Sequence, residues 1–231
     1  RAMNILAIDT SQPISGVVLA NEDGVLAQSH RLHDHPPSDA VFLTIRSVLA
    51  EAGLDLRQID LFAAGNGPGS FTGLRIGLCA AKAFAWALVR PVVSADGFEC
   101  AAFRALARGL IQEGDAVSVI INGAKSDIFA AEGVITDGLF TGNGVEGFFA
   151  DAQSFQEFWP GKRPWIVQGL PALDAPDACQ LDATQEPAIV VAALARRKLK
   201  SQGARTASAM QPRYVKPISI GGIAPRWSLG R

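Results

Sequence analysis

The sequence predicts an α/β protein of two lobes, in which mixed sheets are flanked by helices. Short apolar runs separated by polar turns open the chain, and strand-like runs followed by runs at helical spacing come after them. The same order, strands first and helices after, recurs less distinctly in the second half. A length of 231 residues with 48% hydrophobic and 19% charged residues suits a packed globular protein that can divide into two lobes.

The first lobe is predicted to begin with an antiparallel meander. Its strands are expected at residues 5–9, 16–20 and 25–31, with polar turns between them. Residues 30–37 form a polar break that ends in two prolines. A helix is predicted to follow from Ser38, because apolar residues then recur at helical spacing until Gly53.

A glycine-rich segment is the most informative stretch of the chain. Residues 65–77 read Gly-Asn-Gly-Pro-Gly-Ser-Phe-Thr-Gly-Leu-Arg-Ile-Gly, after an apolar run and before a long Ala/Leu-rich run. We therefore predict a strand, a loop and a helix, and such a loop can approach an anion closely. It is neither a Walker loop, since no Lys-Ser/Thr pair follows, nor a complete dinucleotide fingerprint, since Ser70 replaces the third glycine.

The second half is predicted with less regular elements. We expect helices at residues 98–111, 155–159 and 187–202, strands at 117–121, 128–135 and 165–168, and a loop at 171–187. The last helix becomes basic towards its end, and no acidic residue follows Glu186. A solvated helix end with a tail and a phosphate-attracting patch both remain open interpretations.

Composition excludes several classes of protein. A net charge of −1 gives no overall attraction to nucleic acid or to an anionic membrane. Cys79, Cys100 and Cys179 form neither a CxxC pair nor an even set, which favours a reducing compartment without a structural zinc site. No run approaches ~18 apolar residues, so we expect a cytoplasmic protein without a membrane-spanning helix.

The glycine-rich segment resembles the signature of the bacterial TsaB (YeaZ) family. Residues 4–11 and 211–216 also resemble the family's opening strand and its closing segment. Residues 121–129 resemble its central segment, except that Asn122 and Ala124 replace an Asp and an Arg. The resemblance implies the two-lobed fold of actin, Hsp70 and the sugar kinases (ASKHA).

The resemblance also sets the expected lobes. Residues 3–96 would form the first actin-like lobe, residues 97–186 the second, smaller lobe, and residues 204–231 a C-terminal segment. The helix at residues 187–203 is expected to pack on the first lobe.

The function that the resemblance implies is that of a non-catalytic scaffold. Members of this family pair with the catalytic subunit TsaD, and with a TsaE-type ATPase, for threonylcarbamoyl transfer to the adenosine beside the anticodon of ANN-decoding tRNAs. ATP or ADP and Mg or Zn are expected on the partner subunits, with no cofactor on this chain. The tRNA would be bound through the complex, and the chain alone could form a homodimer.

A vestigial or shared nucleotide contact is predicted beside the glycine-rich loop. The resemblance implies that Asp9 occupies the place of the first metal-holding Asp of actin-like proteins, and that Asn122 stands where a second would be. Because Asn lacks the charge that a hard cation prefers, the lone chain is not expected to be an ATPase. The predicted contact residues are Asp9, Thr10, Ser11, Gly67, Gly69, Ser70, Thr72 and Arg75.

The alternative function is a small-molecule kinase or ATPase of the actin-like superfamily. It would need a second acid, for which Asp115, Asp127 and Asp137 are the candidates. Two other chemistries are not expected. His30, His33 and His35 are interpreted as loop histidines rather than metal ligands, because prolines follow them, and Ser70 lies in no G-x-S-x-G elbow of a peptidase.

Small residues recur at every fourth position of the helix after the loop, which lets another segment approach closely. That segment could be this chain's own sheet or a partner's helix. The resemblance implies pairing with TsaD through this helix and the one before it. The predicted partner interface comprises Val41, Ile45, Val48, Leu49, Gly73, Gly77, Ala81 and Ala85.

Overall fold

The computed structural model divides into two compact units. It describes residues 2–12, 14–32, 38–123, 126–159, 164–169, 177–182, 187–203, 207–216 and 227–230. The first unit comprises Arg1–Asp96 and Glu186–Arg213, and the second comprises Gly97–Gln185 and Tyr214–Arg231. Residues 204–231, expected as one segment, are thus shared between the units.

The first unit contains a five-stranded mixed sheet. Its strands are β1 (Ile5–Asp9), β2 (Ile14–Asn21), β3 (Gly24–Leu32), β4 (Leu61–Gly65) and β5 (Val92–Ala95). They lie in the order β3-β2-β1-β4-β5, where β1, β4 and β5 are parallel and the other pairs are antiparallel. The helices are α1 (Ser38–Glu51), α2 (Phe71–Ala87) and α5 (Pro187–Gln202), with 3₁₀ turns at Leu56–Gln58 and Ala207–Ala209.

Both faces of this sheet are covered. Residues of α1 and α2 share one apolar core with Leu6 and Ile8 of β1, whereas α5 contacts β1, β2, β4 and β5. All five residues of β1 are consequently buried, as is typical of a central strand between two layers of helices. The parallel strands β1, β4 and β5 end at the same edge of the sheet, which brings the residues that follow them together.

The second unit contains a six-stranded sheet with two helices. Its strands are β6 (Ala116–Asn122), β7 (Ile128–Thr136), β8 (Leu139–Phe149), β9 (Trp165–Gln168), β10 (Cys179–Leu181) and β11 (Trp227–Gly230), and its helices are α3 (Gly97–Ala107) and α4 (Ala152–Phe158). The order is β10-β9-β6-β7-β8-β11. Phe98 of α3 lies in a core formed with β6 to β10.

These two mixed sheets confirm the predicted α/β class, whereas two local expectations were wrong and one long strand was not predicted. The 11-residue strand β8 was not predicted, because Gly142 and Gly144 interrupt its apolar pattern. The short strand β10 lies where only a loop was expected. His30 belongs to strand β3 rather than to a loop, whereas His33, His35 and Ala124 fall outside the described residues.

Within the described residues, every helix is too short or too polar to cross a membrane.

Candidate functional site

The predicted loop and the first turn of the chain meet at the carboxyl edge of the first sheet. Asp9 is the last residue of β1, and Gly65 is the last residue of the neighbouring strand β4. The loop that follows Gly65 leads into α2, whose N-cap is Ser70. The turn after Asp9 donates hydrogen bonds to this loop and also accepts hydrogen bonds from it. The two segments therefore form one continuous site.

Every fourth residue of the glycine-rich segment is a glycine that faces this turn. A Cβ on Gly65 would lie 2.6 Å from the Asp9 carboxyl carbon, and one on Gly77 would lie 2.5 Å from Thr10 Oγ1. At Gly69 and Gly73 it would collide with the main-chain carbonyl oxygens of the turn, those of Ser11 and Thr10 respectively. These four glycines therefore permit close packing of the chain against itself.

Hydrogen bonds hold the turn to the start of α2. The hydroxyl of Thr10 donates to the Gly73 carbonyl at 2.6 Å and accepts the N–H of Gly77 at 3.0 Å. The N–H of Ser70 donates to the Ser11 carbonyl at 2.8 Å. Thr10 is almost fully buried, so these bonds satisfy polar groups that water does not reach.

Gly67 faces a segment near the C-terminus that the sequence did not connect with the loop. Its φ of +105° favours glycine, and a Cβ there would lie 2.8 Å from the Arg213 carbonyl oxygen. The Arg213 N–H donates to the Asn66 carbonyl at 2.8 Å, and its guanidinium pairs with the Asp96 carboxylate. No sequence signal indicated this contact, since about 145 residues separate its members.

Asp9 is a buried carboxyl group held by its own turn. Its Oδ1 accepts the Ser11 N–H at 2.8 Å and the Ser11 hydroxyl at 2.6 Å. Burial raises the pKa of Asp9, which the two Ser11 hydrogen bonds and the charge of His30 only partly offset. A carboxyl group whose ionised form is disfavoured is a poor ligand for a hard cation.

Of the residues predicted to contact a nucleotide, three are exposed. They are Ser70, Thr72 and Arg75, all at the start of α2. The Ser70 hydroxyl accepts the Gly73 N–H at 3.2 Å, and the Arg75 guanidinium lies 3.7 Å from the centre of the Phe71 ring. The other five predicted residues lie inward, in the contacts between turn, loop and C-terminal segment.

Two of the candidate second acids of a kinase have hydrogen-bond or ion-pair partners of their own, and the third lies in a turn. Asp115 accepts the Gln112 N–H at 2.9 Å, and Asp127 forms an ion pair with Lys216 at 2.6 Å. Asp137 occupies the turn between β7 and β8, with a φ of +54°. In the part of the chain that the structure describes, no three His, Cys, Asp or Glu side chains cluster as metal ligands would.

The structure places the predicted partner-interface residues in the first unit's own core. Val41, Ile45, Val48, Ala81 and Ala85 are buried there, and Leu49 packs against them. Gly73 and Gly77 face the turn at residues 9–11. Of the two interpretations of the small-residue stripe, close approach of the chain's own segments is the one that the structure shows.

A different face of the same two helices is exposed and largely apolar. On α2 it contains Thr72, Arg75, Cys79, Ala83 and Trp86, and on α1 it contains Phe42, Leu43, Arg46, Ser47 and Ala50. Trp86 is 80% exposed and Leu43 is 57% exposed. We call these ten residues the outer helix face. Large exposed apolar side chains on neighbouring helices are candidates for a protein interaction surface.

Comparison with known proteins gives a family model and several curated relatives. Residues 35–142 match the model for TsaD, tRNA N6-adenosine threonylcarbamoyltransferase. TsaB of Bacillus subtilis is 34% identical over 97 residues, which are 42% of either chain. TsaB of Escherichia coli is 30% identical over 132 residues, 56% of this chain and 54% of the relative. The chain thus spans about half the length of the curated relatives it matches, or less.

A solved structure extends the likeness to the whole fold. YeaZ from Pseudomonas aeruginosa is matched with a TM-score of 0.70 at 24% identity, over 92% of this chain and 99% of that one. This likeness confirms the two-lobed fold expected from the glycine-rich segment. The chain is thus similar to curated proteins named TsaB over about half of its length, and to the YeaZ fold over nearly all of it.

Proposed function

We propose that the chain is a non-catalytic subunit that pairs with a TsaD-like protein and supports threonylcarbamoyl transfer to tRNA. A TsaE-like ATPase would complete the complex, and the adenosine beside the anticodon of ANN-decoding tRNAs would be the acceptor. The relatives named TsaB act in tRNA threonylcarbamoyladenosine biosynthesis, which supports the reaction. ATP and metal ions would be bound by the partner subunits.

The outer helix face is the observation that carries this proposal. It offers Trp86, Leu43 and Phe42 to a partner, all at least half exposed. The residues behind it are buried and closely packed, so the two helices present a firm surface. Aromatic side chains on such a surface are the usual centres of binding energy in a protein complex.

The contacts of the glycine-rich loop support a role without catalysis by this chain. In a phosphate-binding loop the glycines leave room for the ligand, whereas here Gly65, Gly69 and Gly73 are packed against the turn at residues 9–11. Burial also raises the pKa of Asp9, which disfavours the charged form that a metal-bound nucleotide would need there.

Titration calorimetry with the TsaD-like protein of the same organism tests the pairing. We expect a complex at micromolar concentrations or below, weakened by Ala83→Arg in the outer helix face. The matched control is Ala116→Arg, which places the same charge at an exposed position at the start of β6. Absence of a complex, or equal weakening by both substitutions, would contradict the proposed surface.

The activity of the rebuilt complex tests the non-catalytic role. With Asp9→Asn in this subunit, we expect tRNA modification at close to the wild-type rate. A rate loss of about a hundredfold in an assembled complex, the scale of a lost catalytic group, would instead favour the kinase or ATPase alternative. Binding of Mg-ATP by the lone chain in calorimetry would point the same way.

A further inference from the structure

A buried acid and a histidine lie in one row across the first three strands. The strand register places Asp9 opposite Gly16, and Gly16 opposite His30. Both titratable side chains therefore lie on the same face of the sheet, because residues paired in neighbouring strands point to the same side.

Glycine at position 16 allows the two side chains to approach each other. A Cβ there would lie 2.5 Å from His30 Nε2 and would collide with Cδ2, so the imidazole edge lies directly over Gly16. On the other side of Asp9, Gly65 leaves the same kind of room. The space around the Asp9 carboxyl group is thus shared with one imidazole and with the backbone of its own turn.

Four basic residues on the helices that pack around Asp9 have partners of their own. On α5, Arg196 donates to the Asn21 carbonyl and Lys198 donates to the Ser94 carbonyl. On α2, Lys82 donates to the Met210 carbonyl, and Arg75 lies over Phe71 on the outer helix face. Among the described residues, His30 contributes a charge that acts on the Asp9 carboxyl group.

We propose that Asp9 and His30 hold one proton between them and that its loss with rising pH loosens the turn that anchors the glycine-rich loop. With the proton present, the pair is either neutral or an ion pair, and it carries no net charge. When the proton passes to water, a single buried negative charge remains on Asp9. Burying such a charge costs free energy, so the turn at Asp9–Ser11 is less stable at high pH.

The direction of the Asp9 shift sets the sign of this pH dependence. A carboxyl group whose folded-state pKa lies above its ordinary value stabilises the fold fully at low pH, and this contribution is lost as pH rises through the folded-state pKa. Protonated His30 lessens that loss, because its positive charge favours the carboxylate. The pH window of the pair therefore opens at the ordinary Asp pKa and closes once both the raised pKa of Asp9 and the titration of the imidazole have been passed.

Two measurements on the full chain test the pair. The first is the NMR titration of the His30 ring, assigned by its disappearance in His30→Gln. In Asp9→Asn we expect the pKa of His30 to fall by about half a unit or more, because a carboxylate close by favours the imidazolium. The exposed Asp23→Asn substitution is the control and leaves that titration unchanged.

The second measurement is amide hydrogen exchange of Ser70, whose N–H donates to the Ser11 carbonyl. After correction for intrinsic rates, its protection should fall about tenfold between pH 6 and pH 9 in the wild type and stay level in Asp9→Asn. An unchanged His30 titration in Asp9→Asn, or the same loss of protection in both proteins, would overturn the proposal. Neither readout depends on a partner subunit, so the proposed function is tested separately.

Discussion

Gly77 lies directly against Thr10, and its N–H donates to the threonine hydroxyl at 3.0 Å. Thr10 follows the central strand β1 and Gly77 belongs to the second turn of α2, so one side chain joins the sheet to the helix. The same hydroxyl donates to the Gly73 carbonyl at 2.6 Å. The small residues of α2 thus permit a contact within the chain.

Thr10→Val should destabilise the first unit, whereas Thr10→Ser should not. Valine keeps the shape but removes the hydroxyl, which leaves the Gly73 carbonyl and the Gly77 N–H without that partner in a buried place. We expect a loss of about 1–3 kcal/mol in the free energy of unfolding, measured by urea denaturation. Equal stability of the Val and Ser variants would show that the two hydrogen bonds contribute nothing.

Substitutions at two alanines of α2 distinguish the buried inner face of this helix from its outer helix face. Ala81 is fully buried and Ala83 is exposed. Ala81→Leu should lower the free energy of unfolding by about 1–3 kcal/mol through overpacking, and Ala83→Leu should change it by less than about 0.5 kcal/mol.

Urea denaturation measures both of these variants. A stable Ala81→Leu protein would mean that the helix can move away from the sheet, contrary to the close packing of α2 against β1.

The sequence predicted close approach at α2 but could not tell what approaches. A period of four in small residues follows from local spacing, whereas the identity of the neighbour depends on where the turn at Thr10 lies after folding. The contact between Gly67 and Arg213 escaped prediction for the same reason, since it joins distant parts of the chain. Strand β8 escaped because its pairing with β7 compensates for the glycines within it.

Gly69→Ala should disturb the turn at Ser11 more than Gly53→Ala disturbs the end of α1. The new methyl group at Gly69 would collide with the main-chain carbonyl of Ser11, which is not a flexible group. At Gly53 there is open space, and only the φ of +65° opposes alanine, at a cost of about 1–2 kcal/mol. Comparison of the melting temperatures of the two variants isolates the steric contribution. If Gly69→Ala lowers the melting temperature less than Gly53→Ala does, the close contact of Gly69 with Ser11 is contradicted.

Trp86→Ala should weaken binding of the TsaD-like partner far more than it changes the chain's own stability. The indole is 80% exposed, so its removal opens little space in the core. In a complex that covers the outer helix face, however, this large ring would become buried at the interface. Truncated aromatic anchors typically cost about 2 kcal/mol or more, which corresponds to roughly thirtyfold in Kd.

Phe158→Ala provides the comparison for this substitution, because it removes another partly exposed aromatic ring, at the end of α4 in the second unit. Calorimetry should give a wild-type Kd for that variant. If Trp86→Ala binds the partner as tightly as Phe158→Ala does, the partner does not rest on this part of α2. Exposure of Trp86 would then need another explanation, such as contact with a second copy of the chain, which sedimentation of the wild type and of Trp86→Ala would reveal.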